Sequence, residues 1–372
     1  MESVGAKVAV VGSGISGAVC ASSLAKNGVS VTLFDLARGP GGRTSQRREV
    51  TEDGIELFFD HGAPYFVVTN KDVEVLVSEW EARGIVAEWD EKFGIYDCVE
   101  AKFTGFEKEE LYKKYVGTPG MNAISKAMCS ESGVDAKFGV VVSTFQWLED
   151  KNSWMLAGSS GQTLGEFDAV VASDVYMVSP RFTAVTGRPP PLDLSLVPQL
   201  GLKLQVVPAL PCFSIMLAFS EPLSSIPVRA FSFKNSNALS WAFCDSSKPG
   251  RSTNSECWVL HSTAEYAKRV ITETGQQMLS NSTLSRIAEE LFQEFQTNHL
   301  NIPRPFFMRA HRWDTAFPAI AAEGDDKCLW DASKKLAICG DFCVSPNVEG
   351  AILSGLGAAT KILDVLTPDF LC

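Results

Sequence analysis

The first forty residues contain two short apolar runs separated by a segment with helical spacing. Val8–Val11 is continuously apolar and mostly β-branched, which is typical of a strand buried in a parallel sheet. In Ile15–Lys26 the apolar residues recur at helical intervals, and Asn27-Gly28 provides a helix end. Val29–Phe34 is a second apolar run. The pattern predicts a strand, a helix and a second strand parallel to the first.

The middle of the chain has a different pattern. Phe213–Phe219, Ala238–Phe243 and Cys257–Thr263 are short apolar runs that we interpret as strands of a second sheet. Ser282–Asn298 has apolar residues on one helical face and is predicted to be an amphipathic helix. Pro189–Pro191 lies in a stiff connector between the two kinds of pattern. We therefore expect an α/β fold with two interleaved layers.

Three glycines follow the first predicted strand with the spacing GxGxxG. Gly12 permits the tight turn, Gly14 lets the backbone approach a pyrophosphate, and Gly17 lets the helix pack closely on the sheet. The helix N-terminus offers free amide groups and the positive end of its dipole to phosphates. Asp35 ends the second strand, where a carboxylate can accept hydrogen bonds from ribose hydroxyls. The motif predicts a dinucleotide site of the Rossmann type.

Composition narrows the class of protein. With 372 residues, 45% of them hydrophobic, the chain is long enough for two domains with ample core. Its formal net charge of −11 argues against a nucleic-acid partner, which would require a basic face. The 10 cysteines are scattered without a CxxC pair, so we expect free thiols and no metal site.

The sequence also bears on location. The first strand begins at Val8, so we expect no signal peptide, and no apolar run approaches the ~18 residues of a membrane span. We expect a cytoplasmic protein, with an organelle left open if a transit peptide has been removed. The sequence leaves the oligomeric state open.

Two further segments of the chain contain residues suited to binding a cofactor. Directly after Asp35, the loop "LARGPGGRTSQRR" contains Gly41, Gly42 and Arg43, and the arginine is a permanently charged partner for phosphates. Near the C-terminus, "ICGDFCVSPNVEGAILSG" predicts a strand, Gly340-Asp341, a loop and a helix rich in small residues. A helix N-terminus at that place would stabilise negative charge developing on a flavin.

These motifs resemble those of the FAD-dependent amine oxidase superfamily, and more closely its renalase-like branch. The loop with Arg43 is similar to the Gly-Gly-Arg continuation of that superfamily and of glutathione-reductase-type FAD enzymes. "FFDHGAPYF", from Phe58 to Phe66, resembles the stretch that approaches the flavin ring. "GTPGMNAISKAM" and "HRWDTAFP" resemble renalase-like segments. The resemblance spans most of the chain, but only the terminal motifs are specific.

The resemblance implies a non-covalent FAD, since no cysteine stands where some relatives bond to the flavin. It also implies a fold in which a Rossmann-type FAD-binding domain of the glutathione-reductase type is interleaved with a mixed-sheet α+β substrate domain. The predicted FAD-binding domain takes residues 1–70, 115–185 and 328–372, and the substrate domain takes 71–114 and 186–327. The candidate cofactor residues are Gly12, Gly14, Ile15, Ser16, Gly17, Asp35, Leu36, Gly41, Gly42, Arg43, Thr44, His61, Gly62, Ala63, Val142, Gly340, Asp341, Val348, Glu349, Gly350 and Ala351.

The chain departs from the superfamily in one respect. Amine oxidases usually carry a lysine that reaches the flavin through a water, but the corresponding segment around Cys212, Phe213 and Ser214 has none. Simple amine oxidation is therefore doubtful. The middle of the chain also lacks a second GxGxxG, so a nicotinamide would have to bind as an ordinary substrate.

The first hypothesis is a renalase-like oxidase. It would transfer a hydride from a small reduced substrate, a dihydronicotinamide isomer of the NAD(P)H type or a cyclic amine, to FAD, with O2 as acceptor giving H2O2. The alternatives are an oxidase or desaturase of an apolar carotenoid- or porphyrinogen-type substrate, and a non-catalytic flavoprotein. Tyr65, Trp241, His311 and Trp313 are candidate substrate-pocket residues, although each could equally be packing in the core. No catalytic acid or base is evident.

Overall fold

The structure is a computed structural model that describes residues 5–104, 112–173, 175–178, 182–183, 187–205, 209–252, 254–297, 300–318 and 326–366. In chain order the described strands are β1 Lys7–Val11, β2 Ser30–Asp35, β3 Gln46–Val50, β4 Glu56–Asp60, β5 Phe66–Val67, β6 Val86–Glu88, β7 Phe93–Asp97, β8 Lys102–Thr104, β9 Lys114–Gly117, β10 Val134–Phe138, β11 Val142–Leu148, β12 Ser153–Gly158, β13 Thr163–Phe167, β14 Ala169–Ala172, β15 Ala209–Phe219, β16 Ala230–Lys234, β17 Leu239–Cys244, β18 Glu256–Ser262, β19 Phe307–Pro318, β20 Leu329–Asp331 and β21 Leu336–Ile338. The described α-helices are α1 Ile15–Lys26, α2 Lys71–Ala82, α3 Ala123–Cys129, α4 Pro198–Gln205, α5 Ala264–Thr274, α6 Asn281–Thr297 and α7 Val348–Leu366.

The chain divides into two compact units. The first unit comprises residues 1–42, 124–208 and 318–372, and the second comprises 43–123 and 209–317. Residues 43–70 and 115–123 thus group with the second unit, and 186–208 and 318–327 with the first, unlike the predicted domain boundaries. Compactness alone does not show which residues hold a cofactor, so the functional domains stay a prediction.

The first unit is built on a six-stranded sheet in the order β10-β2-β1-β14-β21-β20. All neighbours are parallel except β20, which runs antiparallel to β21. The central strand β1 is buried from Val8 to Val11, as its continuous apolar run predicts. A three-stranded antiparallel sheet, β11-β12-β13, completes the strands of this unit. The Rossmann-type strand–helix–strand prediction is confirmed in type and order.

The second unit contains a seven-stranded sheet in the order β19-β15-β18-β17-β16-β7-β8. One face carries an apolar core together with α5 and α6, in which Ile287, Leu291 and Phe295 are fully buried. The amphipathic pattern of α6 is therefore confirmed, while its predicted last residue, Asn298, lies outside the described residues. A smaller cluster joins the β3–β4 hairpin to the sheet through Phe59 and Met216.

No helix among the described residues is long and apolar enough to cross a membrane.

Candidate functional site

The glycine turn of the first unit links β1 to α1. Gly12 has φ +104°, a conformation that favours glycine, and its amide donates to the Phe34 carbonyl at 2.8 Å. A Cβ on Gly17 would lie 2.1 Å from the Gly12 carbonyl oxygen, so α1 packs against the turn only because that Cβ is missing. Around Gly14 a Cβ would meet nothing within 4 Å. The turn is tight at Gly17 and open at Gly14.

The start of α1 is available to an anion. Gly14 is the N-cap and provides no side-chain hydrogen bond to the helix amides. The first amide bonded within the helix is that of Ala18, which donates to the Gly14 carbonyl at 2.9 Å. Backbone amides and the helix dipole together favour a phosphate at such an end. Ile15 and Ser16 form the first turn, so the structure places them where the sequence expects them.

Asp35 closes β2 beside this turn. Its carboxylate accepts from the Ser13 amide and the Ala37 amide, both at 2.7 Å, and also from the Ser13 hydroxyl. Asp35 therefore organises the glycine turn through Ser13, at the strand end where the sequence predicts a ribose contact. Leu36, the next residue, is 62% exposed.

The Gly-rich loop returns to the same turn. Gly41 forms an isolated parallel bridge with Gly14, and its amide donates to the Ser13 carbonyl at 3.1 Å. A Cβ on Gly42, whose φ is +54°, would lie 3.4 Å from the Gly14 Cα. The structure thus brings together two motifs that are about 25 residues apart in sequence.

The C-terminal motif packs on the N-terminal one within the first unit. A Cβ on Gly355 would lie 2.3 Å from the Ser16 carbonyl oxygen, so α7 contacts α1 backbone to backbone. The amide of Gly340 donates to the Ser354 hydroxyl at 2.9 Å, which fixes the Gly340-Asp341 turn against α7. Asp341 is buried at the start of a short 3₁₀ turn.

The first turn of α7 is held by its own cap. The Gly350 amide donates to the Asn347 side chain at 2.7 Å, and a Cβ on Gly350 would lie 2.1 Å from the Ser345 carbonyl oxygen. Val348, Glu349 and Ala351, the other predicted residues of this turn, are buried.

Val142 begins β11 and is also buried. The segment before it is tied to Asp35, since the Val140 amide donates to the Asp35 carbonyl at 2.9 Å. The structure therefore brings the predicted cofactor residues of the first unit to connected segments of that unit.

The remaining predicted cofactor residues lie in the second unit. The Ala63 amide donates to the Arg43 carbonyl at 2.8 Å, and a Cβ on Gly62 would lie only 2.0 Å from the same oxygen. Thr44 and His61 are buried. The turn from His61 to Ala63 thus depends on glycine at its centre to pass Arg43.

Three aromatic rings meet beside this turn. The ring centroids are 4.7 Å apart for His61 and His311, 5.0 Å for His61 and Trp313, and 4.6 Å for His311 and Trp313. Trp313 also donates from Nε1 to the His61 carbonyl at 3.0 Å. We call His61, His311 and Trp313 the ring cluster. The sequence named all three residues but did not place His61 with the other two.

Both histidines of the ring cluster are held neutral at pH 7. Burial, the neighbouring His311 and the charge of Arg47 lower the pKa of His61 to about 3. Burial and the charges of Arg47 and Arg309 lower the pKa of His311 to about 4. The cluster therefore offers neutral, flat rings to a ligand.

Trp241 and Tyr65 both lie beside the ring of Phe243. Trp241 stacks on Phe243 with centroids 5.6 Å apart, and Tyr65 lies 6.2 Å from the same Phe243 ring. In the sheet register, Trp241 on β17 and Ser214 on β15 both stand opposite His261 on β18. The three side chains therefore form a row across one face of the sheet.

His261 is a residue that the sequence interpretation did not single out. Its ring hydrogen-bonds the His61 backbone, an interaction that raises its pKa, so the ring is the donor. Burial outweighs this bond and lowers the pKa of His261 to about 4. Among the described residues neither His261 Nε2 nor Ser214 Oγ has a hydrogen-bond partner. Alternation along β18, with Val259 and His261 on one face, is the signal that could have revealed it.

A buried charge cluster was also missed. Asp60 contacts Lys248 at 3.2 Å and also Arg251, while Lys248 contacts Asp245; all four side chains are at most 4% exposed. The amide of Asp60 donates to the Asp245 carboxylate at 3.1 Å. Since Asp60 directly precedes His61, this cluster anchors the strand that leads into the turn.

Comparison with known proteins agrees with this geometry. The pattern of a NAD(P)-binding Rossmann-like domain matches residues 10–80. The pattern of the flavin containing amine oxidoreductases matches residues 86–363, more than half of the chain. The chain belongs to the flavin containing amine oxidoreductase family. This membership makes it a flavoprotein and an FAD-dependent oxidoreductase.

Solved structures share the fold of this family member at low sequence identity. A protein of Exiguobacterium sp. 255-15 that is described as a protoporphyrinogen oxidase is 10% identical, with a TM-score of 0.68 over 98% of this chain and 99% of its own. A triple mutant of putrescine oxidase, redesigned in cofactor binding, is 13% identical, with a TM-score of 0.66 over 96% of this chain and 99% of its own. At such identity the likeness shows the fold alone.

The residues of the first unit fit the adenosine-diphosphate part of an FAD. The open space at Gly14, the uncapped start of α1 and the ribose-side carboxylate of Asp35 together provide the donors and room that such a group requires. These features are compatible with a dinucleotide cofactor at this turn.

Proposed function

We propose that the protein is a renalase-like oxidase that takes a hydride from a small dihydronicotinamide isomer. In this proposal FAD is bound without a covalent bond by the predicted residues, in a fold of the glutathione-reductase type. When bound, FAD supplies a hydride acceptor at N5 and a route for the electrons to O2, giving H2O2.

The observation that carries the proposal is the neutral ring cluster. Oxidation of an amine requires a group that accepts the amine proton, whereas a dihydropyridine becomes an aromatic pyridinium by losing a hydride alone. His61 and His311 have pKa values of about 3 and 4, so both are weak proton acceptors and present neutral, flat surfaces. The rings of the cluster can therefore orient a planar donor by packing.

The segment expected to carry the family's lysine supports the same conclusion. Ser214 stands there on β15, fully buried, and its neighbour across the strands is His261. With a pKa of about 4, His261 carries no charge at neutral pH. Ser214, His261 and Trp241 thus place polar and aromatic side chains on this sheet face, and none of the three is cationic at neutral pH.

The test uses the purified holoprotein under anaerobic conditions. An isomeric dihydro-NAD should bleach the long-wavelength absorption band of the flavin, and admission of air should restore the band with one H2O2 formed per flavin. If no dihydronicotinamide isomer bleaches the band, the proposal is wrong. Turnover of a porphyrinogen or carotenoid-type substrate instead would assign the protein to that class, and a flavin inert to every donor would indicate a non-catalytic protein.

The mode of flavin attachment is tested separately. Acid precipitation should leave FAD in the supernatant, whereas flavin that stays with the pellet would contradict non-covalent binding.

A further inference from the structure

Two arginines of the second unit share one carboxylate. Arg47 Nε lies 2.6 Å from one oxygen of Glu49, and Arg309 Nη1 lies 2.9 Å from the other. The Glu49 side chain is only 11% exposed, while those of Arg47 and Arg309 are 39% and 43% exposed. We call Arg47 and Arg309 the arginine pair. Together with Glu49 the pair carries one net positive charge, on a chain whose net charge is −11.

The arginine pair adjoins the ring cluster. Arg309, His311 and Trp313 alternate along β19, so they share one face of that strand. Phe307, two residues earlier on the same face, stacks on Phe59 of β4 with centroids 5.7 Å apart. The positive charge of Arg47 is felt by both histidines of the cluster, whose pKa values it lowers. Positive charge thus borders the neutral rings on one side.

The guanidinium groups keep hydrogen-bonding capacity. Among the described residues, Arg47 bonds Glu49 through Nε and Arg309 bonds Glu49 through Nη1, and neither guanidinium forms another hydrogen bond. Each guanidinium has five N–H donors in a fixed fork. Because Glu49 holds both side chains, little side-chain entropy remains to be lost when they bind an anion.

We propose that Arg47 and Arg309, positioned by Glu49, bind an oxyanion of the substrate whose ring lies at the ring cluster. The proposal rests on the proposed function and deepens it, since it makes the donor an anionic molecule such as a nucleotide. A cationic amine would be repelled at the same place. A phosphate and a carboxylate share the required chemistry, and the experiment distinguishes them.

The experiment compares two reduced donors with the holoprotein, an isomeric dihydronicotinamide mononucleotide and its nucleoside, which lacks the phosphate. Anaerobic flavin reduction gives a dissociation constant and a limiting rate for each. We expect the mononucleotide to bind about tenfold or more tighter, since hydrogen bonds to charged groups are the strong ones. Arg309→Gln should raise the dissociation constant of the mononucleotide by about tenfold and so remove most of the difference in binding between the two donors.

The chain provides a matched control. Arg48 is the neighbour of Arg47 on β3, points to the other face of the strand and pairs with Glu56. Arg48→Gln removes the same charge and should change neither dissociation constant more than twofold. Arg309→Lys, which keeps the charge but loses the fork, should give an intermediate value. Equal binding of the two donors, or an equal effect of Arg48→Gln and Arg309→Gln, would show that the subsite is wrong while the proposed function stands.

A binding measurement covers the case in which neither donor reduces the flavin, which would overturn the proposed function. Calorimetric titration of the holoprotein with inorganic pyrophosphate needs no turnover. Saturable binding that Arg309→Gln abolishes and Arg48→Gln retains supports the subsite, and no binding overturns it. Propionate in the same titration tests the carboxylate source: tighter binding of propionate than of pyrophosphate would identify the oxyanion as a carboxylate.

Discussion

Lys248 and Asp60 form an ion pair in the interior of the second unit, with 3.2 Å between Nζ and Oδ2 and both side chains fully buried. The Met121 amide adds a hydrogen bond of 3.0 Å to the same carboxylate. Burial raises the pKa of Asp60, but the charges of Lys248 and Arg251 outweigh it and the pKa falls below its ordinary value. Burial also raises the pKa of Asp245 above its ordinary value. The cluster thus contains two acids and two cations around one strand end.

Removal of Lys248 should be strongly destabilising because it leaves an uncompensated buried charge. We expect Lys248→Met to lower the free energy of unfolding by about 3–5 kcal/mol. Adding Asp245→Asn removes one acid as well, and the double variant should recover a large part of that loss. Urea unfolding of the holoprotein at a fixed FAD concentration measures both.

The control for this prediction is an exposed pair. Lys151 lies 2.7 Å from Glu166, with side chains 52% and 43% exposed. Lys151→Met should therefore change the free energy of unfolding by at most about 1 kcal/mol. A double variant as unstable as Lys248→Met would contradict the charge-balance argument.

The two glycines of the turn should respond differently to alanine. A Cβ on Gly17 would overlap the Gly12 carbonyl oxygen, so Gly17→Ala should destabilise the protein by about 1–3 kcal/mol or more. Gly14→Ala meets open space and has φ −62°, so the apoprotein should keep its stability. Its methyl group would occupy room needed by the phosphates, and FAD affinity should fall by about tenfold or more.

Flavin fluorescence titration and urea unfolding separate these two effects. Gly39→Ala, also in open space, serves as the control and should change neither quantity. Normal FAD affinity in Gly14→Ala would show that the phosphates do not lie over the turn.

Gly62→Ala should disrupt the turn beside the ring cluster. The added Cβ would lie 2.0 Å from the Arg43 carbonyl oxygen and 3.2 Å from the Trp313 ring, so the backbone must shift. We expect loss of the Ala63–Arg43 hydrogen bond, a destabilisation of about 1–3 kcal/mol, and a changed visible circular dichroism of the bound flavin. An unchanged flavin spectrum with lowered stability would place this turn away from the cofactor.

Acid should destabilise the protein through its buried histidines. The pKa of His261 in the folded protein is about 4, below its ordinary value of 6.5. Between these pH values the unfolded chain therefore binds a proton at His261 that the folded chain does not bind. Neutral His261 contributes on the order of 3 kcal/mol to the free energy of unfolding above pH 6.5. This stabilisation is lost as the pH falls to about 4 and does not change further below that pH.

The measurement is urea unfolding between pH 4 and pH 7, combined with nuclear magnetic resonance titration of the histidine rings. His261→Phe should show a shallower loss of stability over this range, with the remaining slope due to His61, His311 and carboxylates whose pKa the fold lowers, such as Asp60. A His261 ring that titrates near pH 6.5 would refute the prediction.

The local structure of this protein can be predicted from its apolar pattern and its short motifs. The strand–helix–strand unit, Asp35 and the small-residue helix α7 follow from apolar periodicity and from a short glycine motif, in which Gly12 has a positive φ and Gly17 leaves no room for a Cβ. Such features depend on residues a few positions apart, so the amino-acid sequence is enough to predict them.

The tertiary structure alone decided which distant residues meet. The rings of His61 and His311 are in contact although the two residues are 250 positions apart in sequence. Lys248 pairs with Asp60, which is 188 positions away. His261 joins Ser214 and Trp241 only through the register of three strands. These contacts depend on strand order and register, which the packing of whole sheet faces selects and which no local pattern records.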